Sequence, residues 1–145
     1  MTDTQNSIIL CPGQGAQAVG MGKEWFEASD AAKQTFTEAD QILGIELSKL
    51  CFEGPADDLN RTDVAQAAIY TTTVACFRAL GSEVGHVVAT AGLSLGEFSA
   101  LHLAGAMSFE AGLKLVRLRG QAMQDAAESS KGTMVAVTGD VTEEA

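Results

Sequence analysis

Among the residues able to do covalent chemistry, Ser94 stands in the most informative setting. Gly92-Leu93-Ser94-Leu95-Gly96 fits G-x-S-x-G, and it lies between an apolar run, His86 to Ala91, and a segment with helical patterning. A strand that turns sharply into a helix at such a motif lifts the serine hydroxyl above the strand ends. Glycines on either side remove the Cβ atoms that would clash there. The serine then faces the unpaired backbone N–H groups of a helix N-terminus, which can stabilise the oxyanion formed when a carbonyl is attacked. The amide of Leu95, directly after the serine, is the expected donor. The bare pattern also fits a glycine-rich turn with a capping serine, but the flanking strand and helix favour the nucleophile.

A serine nucleophile ordinarily needs a base, most often histidine. The chain has two histidines. His102 follows Ser94 by eight residues on the same helix, which at 1.5 Å rise per residue places it about 12 Å along the axis. His86 opens the strand whose far end carries the motif. Neither is expected to reach Ser94, so the base is expected outside these 145 residues.

Two further segments bear on the chemistry. Pro12-Gly13-Gln14-Gly15 follows the first apolar run, Ile8 to Cys11. Gly13 to Ala18 formally fits the G-x-G-x-x-A dinucleotide fingerprint, but that motif requires an acidic residue ending a second strand, and Glu38 and Asp40 lie in a helical pattern. What remains is either a plain turn or a turn whose Gln14 amide supplies an oxyanion donor. In the helical pattern from Phe109 to Glu128, Lys114 and Arg117 fall on the polar face and call for no special partner. Arg119 falls nearly opposite, among Gly112, Leu115, Met123 and Ala126. A guanidinium there needs an anion, either an internal carboxylate or a substrate carboxylate.

The elements that must position these residues follow from period and punctuation. Lys23 to Leu43 reads as helix, with a break at Ser29-Asp30 and Gly44 as C-cap. Gly54-Pro55 marks a turn, and Thr62 or Asp63 can cap a helix that runs to Leu80 and ends at Gly81. Helices after Ser94 and from Ser108 to about Glu128 follow, then a loop at Ser129 to Gly132 and a strand over Thr133 to Val137. Buried strands alternating with helices predict a layered α/β fold with parallel pairing. Asp140 to Ala145 carries helix-start signals, so a longer polypeptide is expected.

Composition narrows the classes. With 46% hydrophobic and 19% charged residues the chain is ordinary for a globular unit. A net charge of −10 disfavours nucleic acid and anionic membrane surfaces as partners. There is no apolar stretch of membrane-spanning length, and Met1 to Ser7 lacks the pattern of a signal peptide, so a cytoplasmic location is expected. Cys11, Cys51 and Cys76 are odd in number and without metal-ligand spacing, which predicts reduced thiols and no metal site.

Taken together, CPGQGAQAVGMG, the Gly54-Pro55-Ala56 turn, Gln66, AGLSLGEFSAL and LVRLRGQAMQ resemble the N-terminal part of the malonyl-CoA:acyl carrier protein transacylase family, from Ile8 to Val137. The resemblance implies that Ser94 takes malonyl from coenzyme A and passes it to the phosphopantetheine thiol of acyl carrier protein. It implies an oxyanion hole from the amides of Gln14 and Leu95, a pairing of Arg119 with the free malonyl carboxylate, and Gln66 lining the site. No cofactor is implied, and a monomer is expected. The fold implied is an α/β-hydrolase-like large subdomain, covered here over residues 1–131, with a ferredoxin-like small subdomain beginning at 132–145. Leu93 stands where many members have His, and Ala67 where many have Pro after the site Gln; neither change removes a reacting group. Lys114, Arg117 and Lys131 are the candidates for carrier docking. The alternatives are an esterase or thioesterase using the same elbow, and a non-catalytic fragment or binding module.

Overall fold

The computed structural model describes residues 6–129 and Gly132. Strand β1 (Asn6–Cys11) pairs in parallel with β2 (His86–Gly92), in a register that brings Cys11 opposite Gly92. Parallel pairing puts both C-terminal ends on the same side. The loop after β1 and the turn after β2 therefore emerge next to each other.

After a loop over residues 12–22, the crossover between the strands is built from helices. Helices α1 (Lys23–Ala28) and α2 (Asp30–Leu43) are separated by Ser29, whose extended backbone breaks the run and whose side chain accepts from the Ala32 amide at 3.4 Å. Gly44, at φ 66°, ends α2 in the left-handed conformation. Two short helices, α3 (Leu47–Glu53) and α4 (Ala56–Asn60), go beyond the sequence expectation of a turn. The first is tied down by Asp40, whose carboxylate accepts from the Ser48 amide at 2.8 Å and from the Ser48 hydroxyl.

Helix α5 (Thr62–Leu80) runs through the middle and is buried continuously from Asp63 to Thr71. Gly81, at φ 50°, ends it. Its cap differs from expectation. Arg61 occupies the N-cap position without a side-chain bond to the helix's free amides, and the Thr62 amide is satisfied from a distance by Gln124 Oε1 at 3.2 Å. Thr62 is the first residue inside the helix, and its hydroxyl accepts a bond from Gln14.

After β2 come α6 (Leu95–Leu103) and α7 (Phe109–Ser129), the latter opened by Ser108, whose hydroxyl accepts from the Ala111 amide at 3.1 Å. The core is formed by Phe36, Leu47, Leu59, Ile69, Tyr70, Val74, Leu95, Leu113 and Val116, all at most 1% exposed. Each such side chain stabilises the fold by about 1.5–3 kcal/mol through burial. Helices α5 and α7 approach closely. A Cβ on Gly120 would stand 2.7 Å from the Thr62 carbonyl oxygen and 2.9 Å from the Asp63 Cα, so α7 rests directly on the first turn of α5.

The strands correct one expectation. Both read as buried, yet Ile8 is 64%, Leu10 77% and Val88 52% exposed. Helix α6 packs against the two-stranded sheet, but Ile8 and Leu10 lie in register with the exposed Ala89 and Ala91 on a face that nothing among the described residues covers. The expected loop from Ser129 to Gly132 is reached only at its two ends, and the strand at 133–137, the helix start at 140–145 and the small subdomain at 132–145 lie outside the described residues. No helix among the described residues is long and apolar enough to cross a membrane.

Candidate active site

The turn from β2 into α6 is as tight as its motif demands. A Cβ on Gly92 would lie 2.1 Å from the Gly96 carbonyl carbon, and one on Gly96 would lie 2.3 Å from the Cys11 carbonyl oxygen. No side chain fits at either position. Ser94 itself has φ 53°, the one positive φ among the described non-glycine residues. That conformation costs about 1–3 kcal/mol and persists only where the surroundings impose it. It leaves the side chain exposed at the N-terminus of α6.

Directly after Ser94, the amides of Gly96 and Glu97 bond back to Leu93 and Ser94 carbonyls at 2.9 and 3.2 Å. Among the described residues, the amides of Leu95 and Gln14 donate to no other backbone or side-chain group. The Pro12–Gly15 loop abuts the elbow, since a Cβ on Gly13 would be 2.7 Å from the Leu93 carbonyl oxygen. The loop is held by side chains: Gln17 Oε1 accepts from the Gly15 amide at 2.8 Å, and Gln17 Nε2 donates to Asn60 at 2.9 Å.

One hydrogen-bonded chain joins the side chains of the sequence-predicted residues. Arg119 Nη2 donates to Ser94 Oγ at 2.9 Å, and Nη1 donates to Gln66 Oε1 at 2.7 Å. Gln66, fully buried, donates through Nε2 to Gln14 Oε1 at 3.3 Å and lies 3.2 Å from Met123 Sδ. Gln14 Nε2 in turn donates to Thr62 Oγ1 at 3.3 Å. The guanidinium of Arg119 also sits over the Phe98 ring, 5.5 Å from its centroid, a cation–π contact one helical turn beyond Ser94. The sequence put an anion beside Arg119; among the described residues no carboxylate pairs with it.

The surroundings of α7 correct two expectations. Its buried stripe is Phe109, Gly112, Leu113, Val116 and Gly120, and Leu115 and Met123 are 43% and 38% exposed. Arg119 is therefore half-buried at the edge of that stripe, not opposite the solvated face, because the stripe is set by contact with α5. Arg117, read as solvated, flanks the stripe on its other edge. It pairs with Asp63 Oδ2 at 3.1 Å and donates to the Asp63 carbonyl. Arg61 binds the same carboxylate at 3.1 Å. Burial pushes the Asp63 carboxyl up, but the two guanidinium groups outweigh it and hold its pKa below the ordinary carboxylate value. Lys114 pairs with Glu110 on the exposed face. Two of the three candidate carrier contacts are thus already engaged by carboxylates, and Lys131 lies outside the described residues.

Sequence reasoning missed the neighbours that hold these groups: Thr62, which accepts from Gln14, Phe98, which lies against Arg119, and Asp63, which pairs with Arg117 away from Ser94. Thr62 and Asp63 were visible only as caps. Phe98 follows Ser94 by four residues, the helical spacing that could have revealed it.

The histidines stay apart from the chemistry. His86 is exposed at the start of β2, roughly 20 Å of strand from the elbow. His102 packs beside Tyr70 and Phe109, with Nδ1 3.0 Å from the Met107 carbonyl oxygen. The cysteines are free thiols, and burial pushes each pKa up, that of Cys51 to about 12. None is a ready nucleophile. No cluster among the described residues could hold a metal ion.

The acyl transferase domain family matches residues 8–145. The malonyl CoA-acyl carrier protein transacylase of Bacillus subtilis (strain 168) is 46% identical over 131 residues, which are 90% of this chain and 41% of the relative. The mitochondrial malonyl-CoA-acyl carrier protein transacylase of Mus musculus is 41% identical over 140 residues, 94% of this chain and 36% of the relative. The crystal structure of the malonyl CoA-acyl carrier protein transacylase of Clostridium perfringens superposes with a TM-score of 0.79 at 45% identity, over 84% of this chain and 39% of that one. A malonyl-transacylase in complex with its type II PKS acyl-carrier protein superposes equally well, at 0.79 and 39% identity over 84% of this chain and 40% of that one. The chain thus spans less than half the length of the relatives it matches. It belongs to the acyl transferase domain family.

Proposed function

We propose that this chain is the nucleophile-bearing part of a malonyl-CoA:acyl carrier protein transacylase. The observation that carries the reading is the contact between Arg119 and Ser94: a guanidinium with no carboxylate of its own lies within hydrogen-bond distance of the serine hydroxyl. A malonyl thioester has its free carboxylate one methylene away from the carbonyl that is attacked. A single Arg beside the nucleophile can therefore clamp that carboxylate through parallel hydrogen bonds while the carbonyl sits over Ser94.

In the reaction, Ser94 Oγ attacks the thioester carbonyl and its proton passes to a base contributed by polypeptide beyond these 145 residues. The oxyanion is met by the amides of Leu95 and Gln14. The carbon–sulfur bond then breaks, coenzyme A leaves as the thiol, and malonyl remains as the serine ester. The carrier's phosphopantetheine thiol repeats the sequence in reverse, giving malonyl thioester and free Ser94. Because Arg119 donates to Ser94 Oγ without accepting from it, the hydroxyl proton stays available to the base. Gln66 Oε1 holds the guanidinium by its Nη1 edge and lines the site. The relative solved with an acyl-carrier protein supports the choice of acceptor.

On this reading residues 1–131 form part of an α/β-hydrolase-like large subdomain and 132–145 open a ferredoxin-like small one, and the protein works as a cytoplasmic monomer without cofactor. The mitochondrial relatives are the alternative on location, separable by cell fractionation. The test of the clamp is Arg119→Ala in the complete protein. Malonyl loading should fall by about 100-fold while acetyl loading falls far less, since acetyl has no carboxylate to hold. Equal losses for both acyl groups would contradict the clamp.

A further inference from the structure

Arg119 is held by more than Gln66. Helix α7 meets the N-terminal end of α5 at three points in a row. On one edge Arg119 bonds Gln66 at 2.7 Å. In the middle the backbone at Gly120 lies on Thr62 and Asp63. On the other edge Arg117 pairs with Asp63 Oδ2 at 3.1 Å and donates to the Asp63 carbonyl. Helix α7 is buried along Phe109, Gly112, Leu113, Val116 and Gly120. Beyond Val116 its hold on α5 narrows to the glycine contact, and a small roll about its axis there is the motion that would carry the Arg119 guanidinium off Ser94. The bonds on the two edges oppose such rolling in opposite senses. Asp63 is 6% exposed and Arg117 half-buried, so water competes weakly for the pair. The same end of α5 holds the opposite side of the site, because Thr62 Oγ1 accepts from Gln14.

We infer that Asp63, through its ion pair with Arg117, is a positioning residue that fixes the roll of α7 and thereby the placement of Arg119 over Ser94. The inference rests on the malonyl-transfer reading above. Asp63 touches no reacting atom in this arrangement; it acts through Arg117 and the helix. A displacement of about 1 Å at a reacting centre can cost on the order of 100-fold in rate, so a small roll has a measurable effect.

The experiment compares Asp63→Asn with the unsubstituted complete protein, loading malonyl-CoA and acetyl-CoA in parallel. The expected result is a loss of about tenfold in the malonyl-to-acetyl ratio of kcat/KM, carried mainly by KM for malonyl-CoA, with acetyl loading close to unchanged. In an Arg119→Ala background the same substitution should lower malonyl loading no further, because the group it positions is gone. Arg117→Met provides the second variant if Asp63→Asn fails to fold, and it should move the ratio in the same direction. Equal losses for both acyl groups, or a full further loss in the Arg119→Ala background, would overturn the inference and leave Asp63 a structural residue. If the unsubstituted protein does not load malonyl at all, the functional reading fails instead, so the two failures are distinct.

Discussion

Ser94 is held where a serine is least comfortable. Its φ of 53° arises because the chain must leave β2, clear the Gly96 backbone and enter α6 within a few residues. Glycine adopts that conformation without the Cβ penalty. Ser94→Gly should therefore raise the stability of the complete protein by about 1 kcal/mol while abolishing acyl-enzyme formation. A thermal melt of the variant checks the first part, and an unchanged or lowered melting temperature would contradict it. At this scale the sequence was highly legible. The motif spacing located Ser94, and the resemblance named Gln14, Leu95, Gln66 and Arg119, whose side chains or backbone the fold gathers at one end of the sheet. Asp63 and Arg117 were not legible, because each sits at a position where an exposed charge is the ordinary expectation. Only the packing of α7 on α5 turns them inward.

Helix α7 carries the least obvious link between sequence and site. Its period marks one polar side, but an apolar side can be buried or bare, and Leu118, 63% exposed, shows that much of it is bare here. The buried stripe includes Gly112 against Tyr70 and Gly120 against Thr62 and Asp63, two small residues whose close approach to α5 hydrophobic periodicity undervalues. Gly120→Ala places a methyl 2.7 Å from the Thr62 carbonyl oxygen, which is backbone and cannot swing away. The expected cost is about 1–3 kcal/mol, with a matching drop in melting temperature. A variant that melts with the parent protein would mean that the two helices are less closely apposed. The longer elements were read correctly from caps and period, notably the break at Ser29 and the ends at Gly44 and Gly81. Helices α3 and α4 were missed because seven and five residues are too few for a period to emerge.

Across the whole molecule the parallel pairing of β1 and β2 has the largest consequence. It brings a loop from the beginning of the chain against a turn eighty residues later, so that Gln14 and Ser94 lie at one place. Two features stand open in the same arrangement. Ile8, Leu10 and Val88 leave an apolar sheet face uncovered, and next to it Ile9, Ile69, Phe77, Leu80 and Leu103 line a cavity of about 340 Å³. Ser94 accepts a bond from Arg119, and on the proposed reading its base comes from polypeptide beyond these residues. The sequence indicated strands without indicating which of their faces would be covered, since burial of a strand depends on neighbours that its own residues do not encode.

The central claim is that Ser94 carries the acyl group, and intact-protein mass spectrometry tests it most directly. The complete protein is mixed briefly with malonyl-CoA, quenched in acid, and digested to locate the modification. The account predicts one malonyl group on the peptide containing Ser94, lost on addition of carrier protein bearing a free phosphopantetheine thiol and absent in Ser94→Ala. Malonyl transfer that persists in Ser94→Ala, or a stable label on any other residue, would contradict it.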